Sequence, residues 1–387
     1  MARAPGVLMT GARAPITLDL ARRFHAAGWR VHVADSLPAH STGSSRAVTQ
    51  RHRLAPPRQA LAAFAHDLSR IAREHAIDLL LPTCEEALYV AHVRPQLPAQ
   101  LSVACSEFAL MRQLHSKWEF LQLARDCGVG VPDSARVQIL DEARDLCGHA
   151  PVVLKPEFSR FGTFVRVLPG GITATTPPLA GHGPWVAQQL VRGSEYCSYV
   201  VAMRGRLLAH AVYAPRYRLR RSASYYFDPV TRPALQAFAA TLVGKLGYTG
   251  QIAFDWIIDD AGTPWVLECN PRGTSGVHLF APHDPLPAAL AGQREGVLTP
   301  GHGRAAMLGA LMWLEALPRA LLQGALPAWR VDMARADDVL AVPGDRAPLP
   351  MVVADLAAIA GTALRQRTSL RAAATADCEW DGDPLAP

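Results

Sequence analysis

Lysine is almost missing from this chain. Only Lys117, Lys155 and Lys245 stand among its 39 basic residues, so arginine fills the other 36 positions. Where a surface needs only positive charge, this chain uses arginine. A retained lysine therefore marks a place that wants a compact, rotatable ammonium instead of a planar fork. Paired cysteines are missing too: the seven, at 84, 105, 127, 147, 197, 269 and 378, are odd in number, scattered, and never spaced CxxC. That argues against a disulfide framework and a zinc site, and it fits reduced thiols in a cytoplasm. No run of about 18 uninterrupted apolar residues occurs, so no membrane span is expected. The opening MARAPGVLMTGARAP has a short apolar run leading into a Gly-Ala turn and does not read as a signal peptide. The turn TGARAP lacks GxGxxG spacing, which weakens a dinucleotide-binding reading. The arginines are spread along the chain and, one cluster apart, are not interleaved with aromatics, so no nucleic-acid partner is expected despite a formal charge of +6.

What is present is a long, half-hydrophobic chain of 387 residues, enough for two or three folded domains. The first hundred residues alternate strand and helix signals: a strand at Val7–Thr10, a helix from Ile16 to Ala27 closed by Gly28, and a strand at Arg30–Ala34. Residues 36–52 are polar and turn-rich. A helix from about Gln59 to His75 and a buried strand at Asp78–Leu81 follow, the strand opening into PTCEEA. This β-α-β layout predicts a parallel sheet. From Ser106 onward helices give way to longer strands with hairpin spacing. Beyond about residue 300 the chain is Ala- and Leu-rich and reads as mostly helical, its last segment serving as packing or a cover.

Four elements carry chemistry. In HSKWEFLQ, Ser116 and Glu119 form a capping box that places Lys117 in the first helical turn. A cation there opposes the helix dipole by roughly 0.3–1 kcal/mol, and an anionic ligand at that helix end would reverse the sign. Lys155 closes PVVLKP, where a buried-strand lysine needs a partner to offset desolvation. The next loop, EFSRFGTFVRV, offers Ser159, Gly162 and Thr163 as backbone donors toward phosphate, though with a single glycine. The third element, WVAQQLVRGSEYCSYVV, reads strand, polar pair, turn, strand; Gln188 and Glu195 are placed to meet a base and a ribose if a nucleotide lies against it.

The strongest constellation is the hairpin GQIAFDWIIDDAGTPWVLECNPRG. With the turn centred on Ala261–Gly262, Asp255 faces Glu268 and Ala253 faces Asn270, while alternation puts Val266, Glu268 and Asn270 on one side of the strand. Facing carboxylates repel at a Cβ separation of about 4.5–5.5 Å. A bridging Mg²⁺ would convert that repulsion into ligation.

Together these elements resemble the ATP-grasp superfamily, the fold of biotin carboxylase, carbamoyl phosphate synthetase and the D-alanine–D-alanine ligases. The resemblance covers roughly residues 5–290. It implies a mixed α/β and α+β architecture: a Rossmann-like parallel-sheet domain over 1–110, small and large ATP-grasp subdomains over 111–186 and 187–300, and a mostly helical extension over 301–387. It implies that Lys117 and Lys155 bind ATP phosphates, that Gln188 and Val191 lie against adenine, and that Glu195 meets the ribose. Asp255, Glu268 and Asn270 would hold two Mg²⁺ ions, with Mn²⁺ as a substitute, and Arg272 would steady the transferred phosphoryl group. The GTSGVH loop with Ser275 would line the acceptor site. The expected activity is ATP-dependent carboxylate–amine ligation through an acyl phosphate, against a phosphotransferase or a non-catalytic ATP-binding scaffold. The expected partners are a small carboxylate and an amine, without nucleic acid or membrane; a homodimer is compatible. The cluster Arg216, Arg218, Arg220 and Arg221 reads either as an anion clamp or as solvated surface, and His278 either as a substrate contact or as structural.

Overall fold

The computed structural model describes all residues except 1, 2, 39, 160–163, 180, 182, 220–222, 302, 386 and 387. Gly162, Thr163, Arg220 and Arg221 thus lie outside the described residues. Three sheets organise the described residues. The first is parallel, with β1 (Gly6–Thr10), β2 (Arg30–Asp35), β3 (Gln50–Arg53), β4 (Leu79–Leu81) and β5 (Ser102–Val103) in the order β3-β2-β1-β4-β5. Val7, Leu8 and Met9 are fully buried. That double-sided burial explains why β1 reads as a continuous apolar run. β3, with the sequence QRHR, was expected to be loop: as an edge strand exposed to water it carries no apolar signature.

The order reverses between β1 and β4, so their two following loops meet at the sheet's carboxyl end, where open α/β sheets take ligands. Gly11 opens the first loop at φ +71°, and a Cβ there would come within 2.9 Å of Thr83, Cys84 and Glu86 of the second. Only glycine satisfies both demands. Thr10 Oγ1 donates to Glu86 at 2.7 Å across the same gap.

The second sheet is small and antiparallel: β6 (Ser134–Val137), β7 (Val152–Pro156), β8 (Arg166–Leu168) and β9 (Trp185–Gln189), in the order β6-β9-β7-β8. The third has seven strands. β10 (Ser194–Met203), β11 (Arg206–Pro215), β12 (Tyr226–Val230), β13 (Gly250–Ile258), β14 (Pro264–Asn270), β15 (Ala305–Met307) and β16 (Ala336–Asp338) run in the order β14-β13-β10-β11-β12-β15-β16. Two short strands in the Ala-rich C-terminal region thus extend this sheet among helices. One helix there, Pro348–Gln366, contains an 18-residue window of mean hydropathy 1.3, which is long and apolar enough to cross a membrane. Asp355 interrupts it and accepts from the backbone of Ser41 at 2.8 Å, tying it to the first sheet's loops.

Candidate active site

β13 and β14 meet as the turn symmetry requires: Asp255 pairs with Glu268 and Ala253 with Asn270. One residue beyond, the register shifts. Trp256 pairs with Val266, so Leu267 is an extra residue in β14. This bulge corrects the expected alternation. Val266, buried completely, joins Cys269 in the core beside Phe254 and Trp256, and does not share the face of Glu268 and Asn270. The bulge also turns the Leu267 carbonyl outward, where it accepts from Lys155 Nζ at 3.2 Å.

Lys155 sits 4% exposed on β7, with Nζ 3.8 Å from Glu268. Lys117 is equally buried. Its segment is stitched to that of Lys155: Lys117 N donates to the Glu157 carbonyl, Ser116 Oγ to the Glu157 carboxylate, and Lys117 Nζ to the Ser159 carbonyl. Only half of the capping box forms. Ser116 Oγ accepts from Glu119 N at 3.0 Å, whereas the Glu119 carboxylate turns to Arg112 at 2.7 Å instead of reaching back. Lys117 still occupies the start of the turn entering the helix Glu119–Ala124, since Phe120 N donates to the Ser116 carbonyl.

The electrostatics follow from crowding. Burial, then the facing Glu268, push the Asp255 carboxyl up to about 7, against a hydrogen bond from Cys197. Burial also acts on Glu268, but Lys117 and Lys155 outweigh it and hold its carboxyl below the ordinary value. The lysines are depressed by desolvation, Lys155 to about 8, with Glu268 opposing. Two carboxylates, a neighbouring amide and two buried ammoniums thus crowd together with opposite preferences.

Asn270 Nδ2 reaches Asp255 at 3.4 Å. Arg272, just past β14, ion-pairs with Glu85 at 2.9 Å and also approaches Asn270 Oδ1. Glu85, 5% exposed, comes from the loop after β4, so the Arg272 end of the site abuts the switch point of the parallel sheet. The tandem acids of PTCEEA following a buried strand were its only sequence signal. Cys197 and Tyr213 were also missed: register places Tyr213, Cys197, Asp255 and Glu268 in one row across β11, β10, β13 and β14. The tyrosine hydroxyl donates to the thiol and the thiol to Asp255.

The remaining candidates are dispersed around this centre. Gln188 lies on β9, 2% exposed, with a 3.4 Å contact to Ser134. Val191 follows in the half-buried link to β10. Glu195, exposed, stands two residues before Cys197 and pairs with Arg218. Arg216 is held by the buried Asp332 at 2.6 Å. Ser275 begins the short helical turn Ser275–Leu279, in which His278 is buried with Nδ1 2.7 Å from Asp19. Lys245 is in the last turn of the helix Pro233–Leu246 and caps the Asp126 carbonyl at the surface.

No family model matches the chain, and no curated protein does. Solved structures do. The biotin carboxylase domain dimer of Hydrogenobacter thermophilus 2-oxoglutarate carboxylase, solved with MgADP, ADP and bicarbonate, superposes with a TM-score of 0.60 at 14% identity over 76% of this chain and 71% of that one. L-amino acid ligase from Bacillus licheniformis gives 0.55 at 15%, covering 76% and 77%. Rhizobium etli pyruvate carboxylase gives 0.57 at 17% over 75% of this chain, which spans only 28% of that longer protein. The chain's parallel sheet, small antiparallel sheet and larger, mostly antiparallel sheet match the fold of these structures: the chain has the ATP-grasp fold.

Proposed function

We propose that the chain is an ATP-dependent carboxylate–amine ligase, and the observation that carries this reading is the pairing of two buried lysines with two facing carboxylates at the mouth of a bulged hairpin. Burying Lys117 and Lys155 costs free energy that their protein partners only partly offset, as the depressed Lys155 shows. Phosphate oxygens would supply the missing charge. The residues likewise fit a hard divalent cation: Asp255 and Glu268 repel each other, and Asn270, whose Nδ2 reaches Asp255 and whose Oδ1 meets Arg272, would add its amide oxygen. Asp255, Glu268 and Asn270 would hold Mg²⁺, as two ions, or Mn²⁺ in its place, and the metal would supply charge neutralisation for the phosphates.

The chain's own residues do the rest by positioning. Lys117 and Lys155 approach the phosphates from two segments that Glu157 locks together. Arg272, aimed by Glu85, stabilises charge on the phosphoryl group as it moves to the carboxylate oxygen. The amine then attacks the acyl carbon and phosphate departs with that oxygen. Gln188 and Val191 face the base, and Glu195 the ribose once Arg218 is displaced. Arg216, Arg218, Ser275 and His278 belong to the substrate side. The neighbours named above act on small molecules, which supports a small carboxylate and amine as partners. A cytoplasmic setting fits the free cysteines, and a homodimer is part of the reading. A screen of amino acids and organic acids for ADP release tests it: release that requires both a carboxylate and an amine is expected, and release indifferent to either would refute ligation.

A further inference from the structure

The C-terminal segment was expected to be packing or a cover, yet it crosses the seam between the two lysine-bearing segments. Trp380, 6% exposed, stands with its ring edge-on to Phe158 at 5.0 Å and tilted against His115 at 6.1 Å. Phe158 lies three residues past Lys155, and His115 two residues before Lys117. One side chain therefore touches both segments beside the hydrogen bonds through which Glu157 and Ser159, the two neighbours of Phe158, join them. Phe108 packs edge-to-face with the same ring at 5.6 Å, and the indole N–H is satisfied by the Asp383 carbonyl at 2.7 Å. Two residues on, Gly382 adopts φ +100° so close to Phe158 that a Cβ would come within 2.6 Å of its ring.

The same segment is fastened to the N-terminal sheet. Arg13, in the loop after β1, grips Asp377 at 2.6 Å and the Ala374 carbonyl at 2.8 Å. Arg58 pairs with Asp381 at 2.6 Å, and Tyr89 donates to the Glu379 carbonyl at 2.9 Å. A loosely laid surface segment needs no such set of anchors. The segment runs from the switch point of the parallel sheet to the phosphate end of the nucleotide cleft.

We infer that Trp380 is a positioning residue for the nucleotide site: residues 374–383 form a strap that holds the Lys117 and Lys155 segments at the spacing a triphosphate requires. The inference rests on the nucleotide reading above. Side chains that grip a ligand must be held to a fraction of an ångström by packing behind them, and a ring wedged over the seam supplies that support. Removing it leaves both lysines in the chain but frees their relative position.

The test is Mg²⁺-dependent binding of a non-hydrolysable ATP analogue to the full chain, by calorimetry, alongside thermal unfolding of each unliganded protein. Trp380→Ala is expected to weaken binding by about tenfold, and Trp380→Phe, which keeps a ring over the seam, by no more than about threefold. Gly382→Ala disturbs the strap at Phe158 without opening the core and should also weaken binding. Trp329→Ala, in the separate C-terminal cluster, should lower the melting temperature while leaving affinity unchanged. If the wild type binds but Trp380→Ala and Gly382→Ala bind within about twofold of it, the strap is ordinary packing and the inference fails alone. If the wild type does not bind, the nucleotide reading fails and takes the strap with it.

Discussion

Proton competition at Asp255 gives a sharp prediction. The carboxyl is pushed up to about 7 by burial and by Glu268, while the two lysines hold Glu268 low, so near neutrality the pair's remaining proton sits on Asp255. A divalent cation must displace that proton, and its apparent affinity falls with acidity below the carboxyl's own value. Lowering the pH from about 7.5 to about 6 should weaken Mg²⁺ binding roughly eightfold, the ratio of the protonated burdens at those two pH values for a group titrating near 7. The sign for the metal-free protein is opposite. The folded chain keeps a proton that the unfolded chain releases near pH 4, so this group's contribution to stability is present below about pH 4 and lost as pH rises through about 7. Metal-dependent shifts in melting temperature across pH 6 to 8 measure both trends. Mg²⁺ affinity that is flat over this range, or a pH dependence that survives in Asp255→Asn, would refute the reasoning.

Three further outcomes follow from the geometry. Lys155→Arg replaces a compact ammonium, wedged between Leu267 O and Glu268, by a fork, and should sharply weaken ATP binding in calorimetry, whereas Lys245→Arg at the surface should not. Val266→Ala should cost roughly 2 kcal/mol in denaturant unfolding and exceed the cost of Leu267→Ala, although leucine loses more carbon, because the bulge buries the valine and not the leucine. Glu85→Gln weakens the support of Arg272 without touching the nucleotide contacts, so it should lower turnover while leaving ATP affinity near normal in steady-state kinetics.

How much of this was legible depended on the range of the interaction. Asp255 opposite Glu268 could be counted from the turn, because hairpin pairing is local and its symmetry is arithmetic. The bulge at Leu267 could not: inserting a residue leaves the apolar pattern of WVLEC unchanged and alters only which positions face inward. Lysine scarcity singled out Lys117 and Lys155, but their stitching through Glu157 joins residues about forty apart, and nothing in PEFS marks that glutamate as a buried acceptor for Ser116. β3 went unread because an exposed edge need not be apolar. Arg216 looked like part of a clamp in RYRLRR, yet its partner Asp332 lies in a C-terminal helix. Trp380 is the extreme case, with the chain's end packed against residues that only the folded state brings near.

The most direct measurement follows oxygen. In the proposed reaction a carboxylate oxygen attacks the γ-phosphorus and leaves with phosphate when the amine closes on the acyl carbon. A substrate carboxylate labelled with ¹⁸O, turned over with ATP and amine, should deliver one labelled oxygen to the released phosphate, and Glu268→Gln should abolish that transfer. Phosphate free of label, formed at the same rate as ADP, would show that the carboxylate is never phosphorylated and would contradict the account.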